Sequence, residues 1–265
     1  IEYEEVVVSS NTMTFEEYIN LRNLAFIIFV TNQGIVFDAI QKLLREQEID
    51  VFELYYTMLT NKENSSENTQ KVIEQFQQAT TGELWDSPQE LLENFQKDSE
   101  YKKLLNGEAG TNVLYHYKAV VISEYMDDWT EYVIESAHAV IKNSNNYNDQ
   151  LEKQFETVAN YCRGLSHNVL GQDRLDTNPE YEFEYNIPSW LSPKTNLKLD
   201  NFKLAAKLKI SFQLDDEQFK MVQDNIDVYG HSRIGKSKTL KMLPNQKLWR
   251  HPLVTSNHTT YLCWD

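Results

Sequence analysis

Apolar residues in the first third of the chain recur at the three- and four-residue spacing of helices buried on one face. Thr14 precedes Glu17 by three positions, the spacing of a capping box, so a helix is expected from about 15 to 31. Within it, LAFIIFV on its own could equally be a buried strand. Asn32-Gln33-Gly34 breaks the pattern. Val36, Phe37, Ile40, Leu43 and Leu44 then mark a second helix to about Gln47, and Val51, Phe52, Tyr55, Met58 and Leu59 a third over 49–59. NKENSSENT reads as a polar loop, and a more polar helix follows around Val72, Ile73 and Phe76. At SPQELLENF, Ser87 is placed as N-cap, Pro88 at the first helical position and Glu90 as the capping-box partner.

The longest periodic stretch begins near Thr111. Leu114, Tyr117, Val121, Tyr125, Trp129, Val133, Ala137 and Ile141 step by three or four throughout. A single helix of that length would run about 45 Å. After the Asn-rich NSNNYN, another helix is expected from about Asp149 to Leu165. The period then changes. YEFEYNI (181–187) alternates aromatic or apolar residues with acids, and KLKISFQL (207–214) places Leu208, Ile210 and Phe212 on one face. These are two strands of a small antiparallel sheet, joined by a loop through PSWLSPKTN. From Asp215 the period is helical again through Phe219, Val222, Ile226 and Tyr229. The fold class is therefore α+β and mostly α-helical: a helical bundle with a small antiparallel sheet near 180–214.

Charge narrows the functional classes. With 25 basic and 40 acidic residues the chain carries a formal −15, which repels a phosphate backbone and argues against nucleic acid as a partner. The basic run Lys236, Lys238, Lys241, Lys247 and Arg250 reads as a solvated helix end. Two cysteines, Cys162 and Cys263, cannot make an all-cysteine iron–sulfur cluster, a four-cysteine zinc site or a disulfide framework. No signal peptide is visible, and the longest apolar run, 24–30, is about a third of a membrane span. The expectation is a soluble, cytoplasmic protein, so the acceptor-like Asn64-Ser-Ser and Asn257-His-Thr are taken as chance matches.

Several motifs suggest chemistry and lack its context. GHSRIGKS (230–237) fits the phosphate-loop pattern at every fixed position. A phosphate loop follows a buried strand, whereas Gly230 follows the amphipathic segment DDEQFKMVQDNIDVY. Gly230 is better explained as a left-handed helix cap. Glu135 and His138 form an E-x-x-H pair beside Glu124, Asp128 and Glu131, but a di-metal bundle needs two such pairs and none recurs. Cys162 and His167 lie five residues apart with no orienting group evident, and no G-x-S-x-G, H-E-x-x-H or H-x-H occurs.

Aromatic residues are dense on the 111–141 stretch (Tyr115, Tyr117, Tyr125, Trp129, Tyr132) and earlier at Tyr55, Tyr56 and Trp85. At helical spacing such a stripe is core. Its excess over aliphatic residues also suits a cleft or interface, and Tyr55, Trp85, Tyr117, Tyr125 and Trp129 are the candidates for it.

EYEEVVVSSNTMTFEEY, LRNLAFIIFVTN and KLLREQEIDVFELYYTML resemble the segment that follows the catalytic barrel in cobalamin-binding radical SAM enzymes. LLNGEAGTNVLYHYKAVVISE, EYEFEYNIPSWL, YGHSRIGKSKTLKML and LWRHP resemble later parts of the same C-terminal region, so the likeness covers most of 2–251 in order. In that family a helix, a Tyr-Gly and a short basic helix stand where the phosphate-loop pattern falls, with no nucleotide implied. The resemblance implies a parent enzyme using [4Fe–4S], S-adenosylmethionine and cobalamin. This chain lacks the Cys-x-x-x-Cys-x-x-Cys run, so no cofactor is expected in it and no family catalytic residue is carried over. Ile1 joins in mid-strand, as a piece of a longer protein would.

The expected organisation is then 1–12 as a strand or linker from an upstream barrel, 13–170 as a helical domain and 171–265 as a small α/β subdomain, continuous with it or not. The expected function is a non-catalytic accessory or substrate-access region. Its partners would be the upstream barrel and cobalamin-binding domains of the same polypeptide, or a second copy through exposed apolar surface. The alternative is a stand-alone helical adaptor that binds a protein or ligand.

Overall fold

A computed structural model describes residues 3–32, 34–106, 109–167, 170, 178–192, 197–244, 247–256 and 259–262. The architecture is mostly helical α+β. Its first helices follow the amphipathic pattern: α1 (Phe15–Thr31), α2 (Asp38–Glu46), α3 (Val51–Thr60) and α4 (Glu67–Gly82). The Thr14 hydroxyl accepts the Glu17 N–H while the Glu17 carboxylate accepts the Thr14 N–H, which satisfies donors that open α1. Ser87 caps α5 (Pro88–Phe95), and α6 (Asp98–Asn106) follows, a helix the periodicity does not announce.

The long helix expected from Thr111 is two helices, α7 (Val113–Glu124) and α8 (Met126–Lys142), broken at Tyr125 with φ −134°. No proline or glycine stands there. The two segments bury different surfaces: five consecutive residues of α7, 118–122, are all buried, whereas α8 buries a periodic face. Side-chain spacing runs straight through the break because it records faces and not dihedral angles. α7 packs on α4 and on α12 (Arg233–Met242), α8 on α3 and α9 (Asp149–Ser166), so the directions of neighbouring helices set the bend.

β1 (Glu180–Tyr185) pairs antiparallel with β2 (Lys203–Gln213), setting Phe183 opposite Leu208 and Tyr181 opposite Ile210. Their acidic and basic residues share the other face, where Lys209 meets Glu180 at 2.6 Å and Lys207 meets Glu184 at 3.8 Å. The sheet is larger than the 180–214 region suggests. β3 (His251–Ser256) and β4 (Thr259–Leu262) extend it in the order β1-β2-β3-β4. The described part of the expected PSWLSPKTN loop holds a short helix, α10 (Ile187–Leu191), capped by Asn186; residues 193–196 lie outside the described residues. Between β2 and β3 run α11 (Asp216–Tyr229) and α12 (Arg233–Met242).

One continuous set of buried apolar side chains runs from Phe26 on α1 to Trp249 before β3. Tyr161 on α9 meets Phe183 and Phe212 edge to face, joining helices to sheet. Gly164 makes that approach possible, since a Cβ there would lie 2.4 Å from the Phe212 ring. Glu46 at the end of α2 accepts the Trp190 indole N–H at 2.6 Å and the Leu199 N–H at 3.1 Å, and Lys42 donates to the Trp190 carbonyl. No helix among the described residues is long and apolar enough to cross a membrane.

Candidate functional site

Three elements distant in sequence converge on a cleft of about 720 Å³. The end of α1 supplies Phe29 and Asn32, the start of α7 supplies Asn112, Tyr115 and Lys118, and the end of α12 supplies Lys241. Ile28, Leu240 and Leu243 make up the apolar part of the lining. Asn112 is placed by its capping duty: its Oδ1 accepts the Tyr115 N–H at 3.3 Å. Phe29 and Tyr115 meet edge to face with centroids 5.1 Å apart.

Lys118 is the anomaly of this cleft. It is 8% exposed, and among the described residues no carboxylate, carbonyl or hydroxyl accepts from its ammonium. Its contacts are ring faces, 5.2 Å to the centroid of Phe29 and 6.0 Å to that of Tyr115. Lys241 stands 5.5 Å from the same Tyr115 ring. Burial holds the Lys118 ammonium below the ordinary lysine range, as expected where hydration is lost and no counter-charge returns. No acid lines the cleft among the described residues.

A second cleft of about 430 Å³, between α8, the end of α9 and β1, gathers Asp127, Asp128, Glu131, Glu135, Arg163 and His167. Its groups largely satisfy one another. Arg163 holds Glu131 through two bonds of 2.6 and 2.7 Å, Thr130 and Ser166 share a 2.9 Å hydroxyl bond, and Asn68 donates to Asp128 at 3.0 Å. His167 Nδ1 stands 3.9 Å from Asp127.

The E-x-x-H pair is divided between surroundings. Glu135 lines this second cleft, while His138 bonds the Glu152 carboxylate at 2.8 Å and stacks on Phe155 at 5.0 Å. No group of three His, Cys, Asp or Glu side chains suited to a metal ion occurs among the described residues. Cys162 is fully enclosed, in hydrogen-bond contact with the Ile40 backbone, and burial pushes its thiol up to about 12. That environment fits neither a cluster ligand nor a nucleophile. Cys263 lies outside the described residues.

Both glycines of the phosphate-loop pattern have structural reasons. Gly230 closes α11 with φ 79° and ψ 174°, a positive φ as expected, though in the extended glycine region and not the left-handed helical one. Gly235 lies in the first turn of α12, where a Cβ would be 2.2 Å from the Tyr229 carbonyl oxygen. The basic run is also not one solvated helix end. Lys238 and Lys241 are exposed, Lys247 pairs with Glu217 at 3.1 Å, and Arg250 is wholly buried.

Of the five candidate aromatics, none lines either cleft. Trp129 is sealed in the core with its indole N–H 3.3 Å from the Thr31 hydroxyl, and the buried Tyr55 hydroxyl donates to Asn32 at 3.1 Å. Tyr117, half-buried, meets Phe76 edge to face, Trp85 packs near Phe95, and Tyr125 marks the α7–α8 break. The cleft residues Phe29, Asn32, Asn112 and Lys118 do not announce themselves in sequence. One signal was present: Lys118 follows Leu114 by four and precedes Val121 by three, on the apolar stripe of the helix. No family model, curated protein or solved structure matches this chain.

Proposed function

We propose that this chain is an accessory region of a cobalamin-dependent radical SAM enzyme, seated beside the catalytic barrel and shaping or reading the substrate that reaches it. The observation that supports this reading is segment 3–9. It carries no regular secondary structure, has no ladder partner among the described residues, and exposes Val6 at 54% and Val7 at 73%. A β-branched run whose backbone joins no ladder among the described residues has the composition of a strand that pairs with another sheet. The resemblance over 2–251 names the sheet: the upstream barrel of the same polypeptide. In this reading the iron–sulfur cluster, S-adenosylmethionine and cobalamin are held by those upstream domains, and the chain's own side chains perform no chemistry.

The stand-alone adaptor remains the second reading because the cleft at Lys118 is a binding feature in its own right. The gene upstream of the Ile1 codon separates the two. An in-frame Cys-x-x-x-Cys-x-x-Cys within a few hundred codons is the expected finding. A start codon with a ribosome-binding site directly before Ile1 would overturn the accessory reading and leave the adaptor.

A further inference from the structure

We infer that the cleft between α1, α7 and α12 is a binding site for an organic anion, a carboxylate or phosphate ester carried on a flat apolar body. The inference rests on the cleft alone and not on any larger protein around it.

Its polar lining presents donors. Lys118 has three N–H groups and no described acceptor, and Lys241 adds a second ammonium. Asn32 uses its Oδ1 to accept from the Gln41 amide at 2.8 Å and the Tyr55 hydroxyl at 3.1 Å, so its Nδ2 is the half of the side chain without a described partner. Asn112 is in the same position, its Oδ1 taken by the Tyr115 N–H. Removing an ammonium from water without a hydrogen-bonding partner is costly, and aromatic faces return only part of the lost hydration. An arriving carboxylate or phosphate completes the site by supplying acceptors to Lys118, and to Lys241 and the amides as its size allows.

The remainder of the lining fixes the rest of the ligand. Ile28, Phe29, Leu240 and Leu243 are apolar, and Tyr115 is 43% exposed, with a ring that a planar body can meet. A volume of about 720 Å³ accommodates a ring system with an anionic substituent. A bare inorganic ion would leave this apolar surface in contact with water.

Calorimetric titration of the whole chain tests the assignment with four probes: 2-naphthoate, 2-naphthyl phosphate, neutral 2-naphthalenemethanol and inorganic phosphate. One or both aromatic anions are expected to bind at one per chain, and which binds tighter separates carboxylate from phosphate ligands. The alcohol and inorganic phosphate are each expected to bind weaker by about tenfold or more. Lys118→Met, which keeps the stem and removes the charge, should weaken the aromatic anions by about tenfold or more. Lys241→Met, at an exposed position that folding does not depend on, should weaken them by about threefold. Lys238→Met, exposed on α12 but outside the cleft, should change nothing. Absence of binding by both aromatic anions would overturn the inference, as would an alcohol that binds as tightly as the naphthoate. Unchanged affinity in both cleft variants would also reject it, and inorganic phosphate matching naphthyl phosphate would remove the apolar body from it.

Discussion

Arg250 has no exposed surface, and its guanidinium donates to the His167 carbonyl at 2.8 Å, the Asn178 side-chain oxygen at 2.9 Å and the Phe212 carbonyl at 3.2 Å. It thereby joins the end of α9 to β2 from the residue just before β3. Arg250→Met would remove the donor from the part-buried His167 carbonyl and the buried Phe212 carbonyl, and a loss of about 3–5 kcal/mol is expected in urea unfolding. His116 is half-buried, and burial first, then the Arg233 charge, holds its imidazole below 6.5. The unfolded chain therefore takes up this proton first as pH falls. The stability His116 contributes is present above pH 6.5 and is lost as pH falls through 6.5 toward its lower folded value. Melting curves from pH 7.5 to 5.5 should show a shallower loss for His116→Gln than for the parent chain. Equal slopes would dismiss the assignment.

At the scale of elements, α2 ends in a Schellman turn: the Ile49 N–H reaches the Leu44 carbonyl and the Glu48 N–H the Arg45 carbonyl. Glu48, exposed with φ 59°, occupies the left-handed position that glycine takes without strain. Glu48→Gly should raise stability by about 0.5–1 kcal/mol in the same urea assay, because relief of the left-handed strain exceeds the added chain entropy. The elements most legible in sequence were those with local causes. The Thr14–Glu17 box opens α1, the helical period from Asp215 gives α11, and alternation at Tyr181, Phe183, Ile210 and Phe212 gives the first two strands. The bend at Tyr125 was not legible, since packing of α7 and α8 on different partners sets it. Nor were β3 and β4, whose short segments are held as strands by the edges of β2 and β3 respectively. The Lys118 cleft escaped for the same physical reason: residues 28–32, 112–118 and 240–243 meet only through tertiary packing, and periodicity within one element cannot bring them together.

For the whole molecule, a shared core and the tight Gly164–Phe212 contact couple the helices to the sheet. The exposed Val6 and Val7, with Tyr3 beside them, leave an adhesive β-prone segment on the outside. The isolated chain is expected to self-associate through it. Light scattering behind size exclusion should show a concentration-dependent dimer that Val7→Lys, a charge on the open edge, returns to monomer. A monomer at all concentrations would count against that segment as a docking edge. The net charge of −15 bears on a different matter, the path by which a ligand enters.

A cleft with no carboxylate among its described lining residues is set in a molecule whose overall field repels the anion it suits. Repulsion acts at a distance and attraction only at close quarters, so capture and retention respond to salt differently. Raising ionic strength from 0.01 to 0.15 M shortens the screening length from about 30 to about 8 Å. The approach barrier should fall with it, and stopped-flow capture of 2-naphthoate should become faster with added salt, opposite to the behaviour of a steered encounter. Such a cleft draws poorly on dilute ligand in bulk solution. It is suited to an anion already held close by, delivered over a short distance from a neighbouring site.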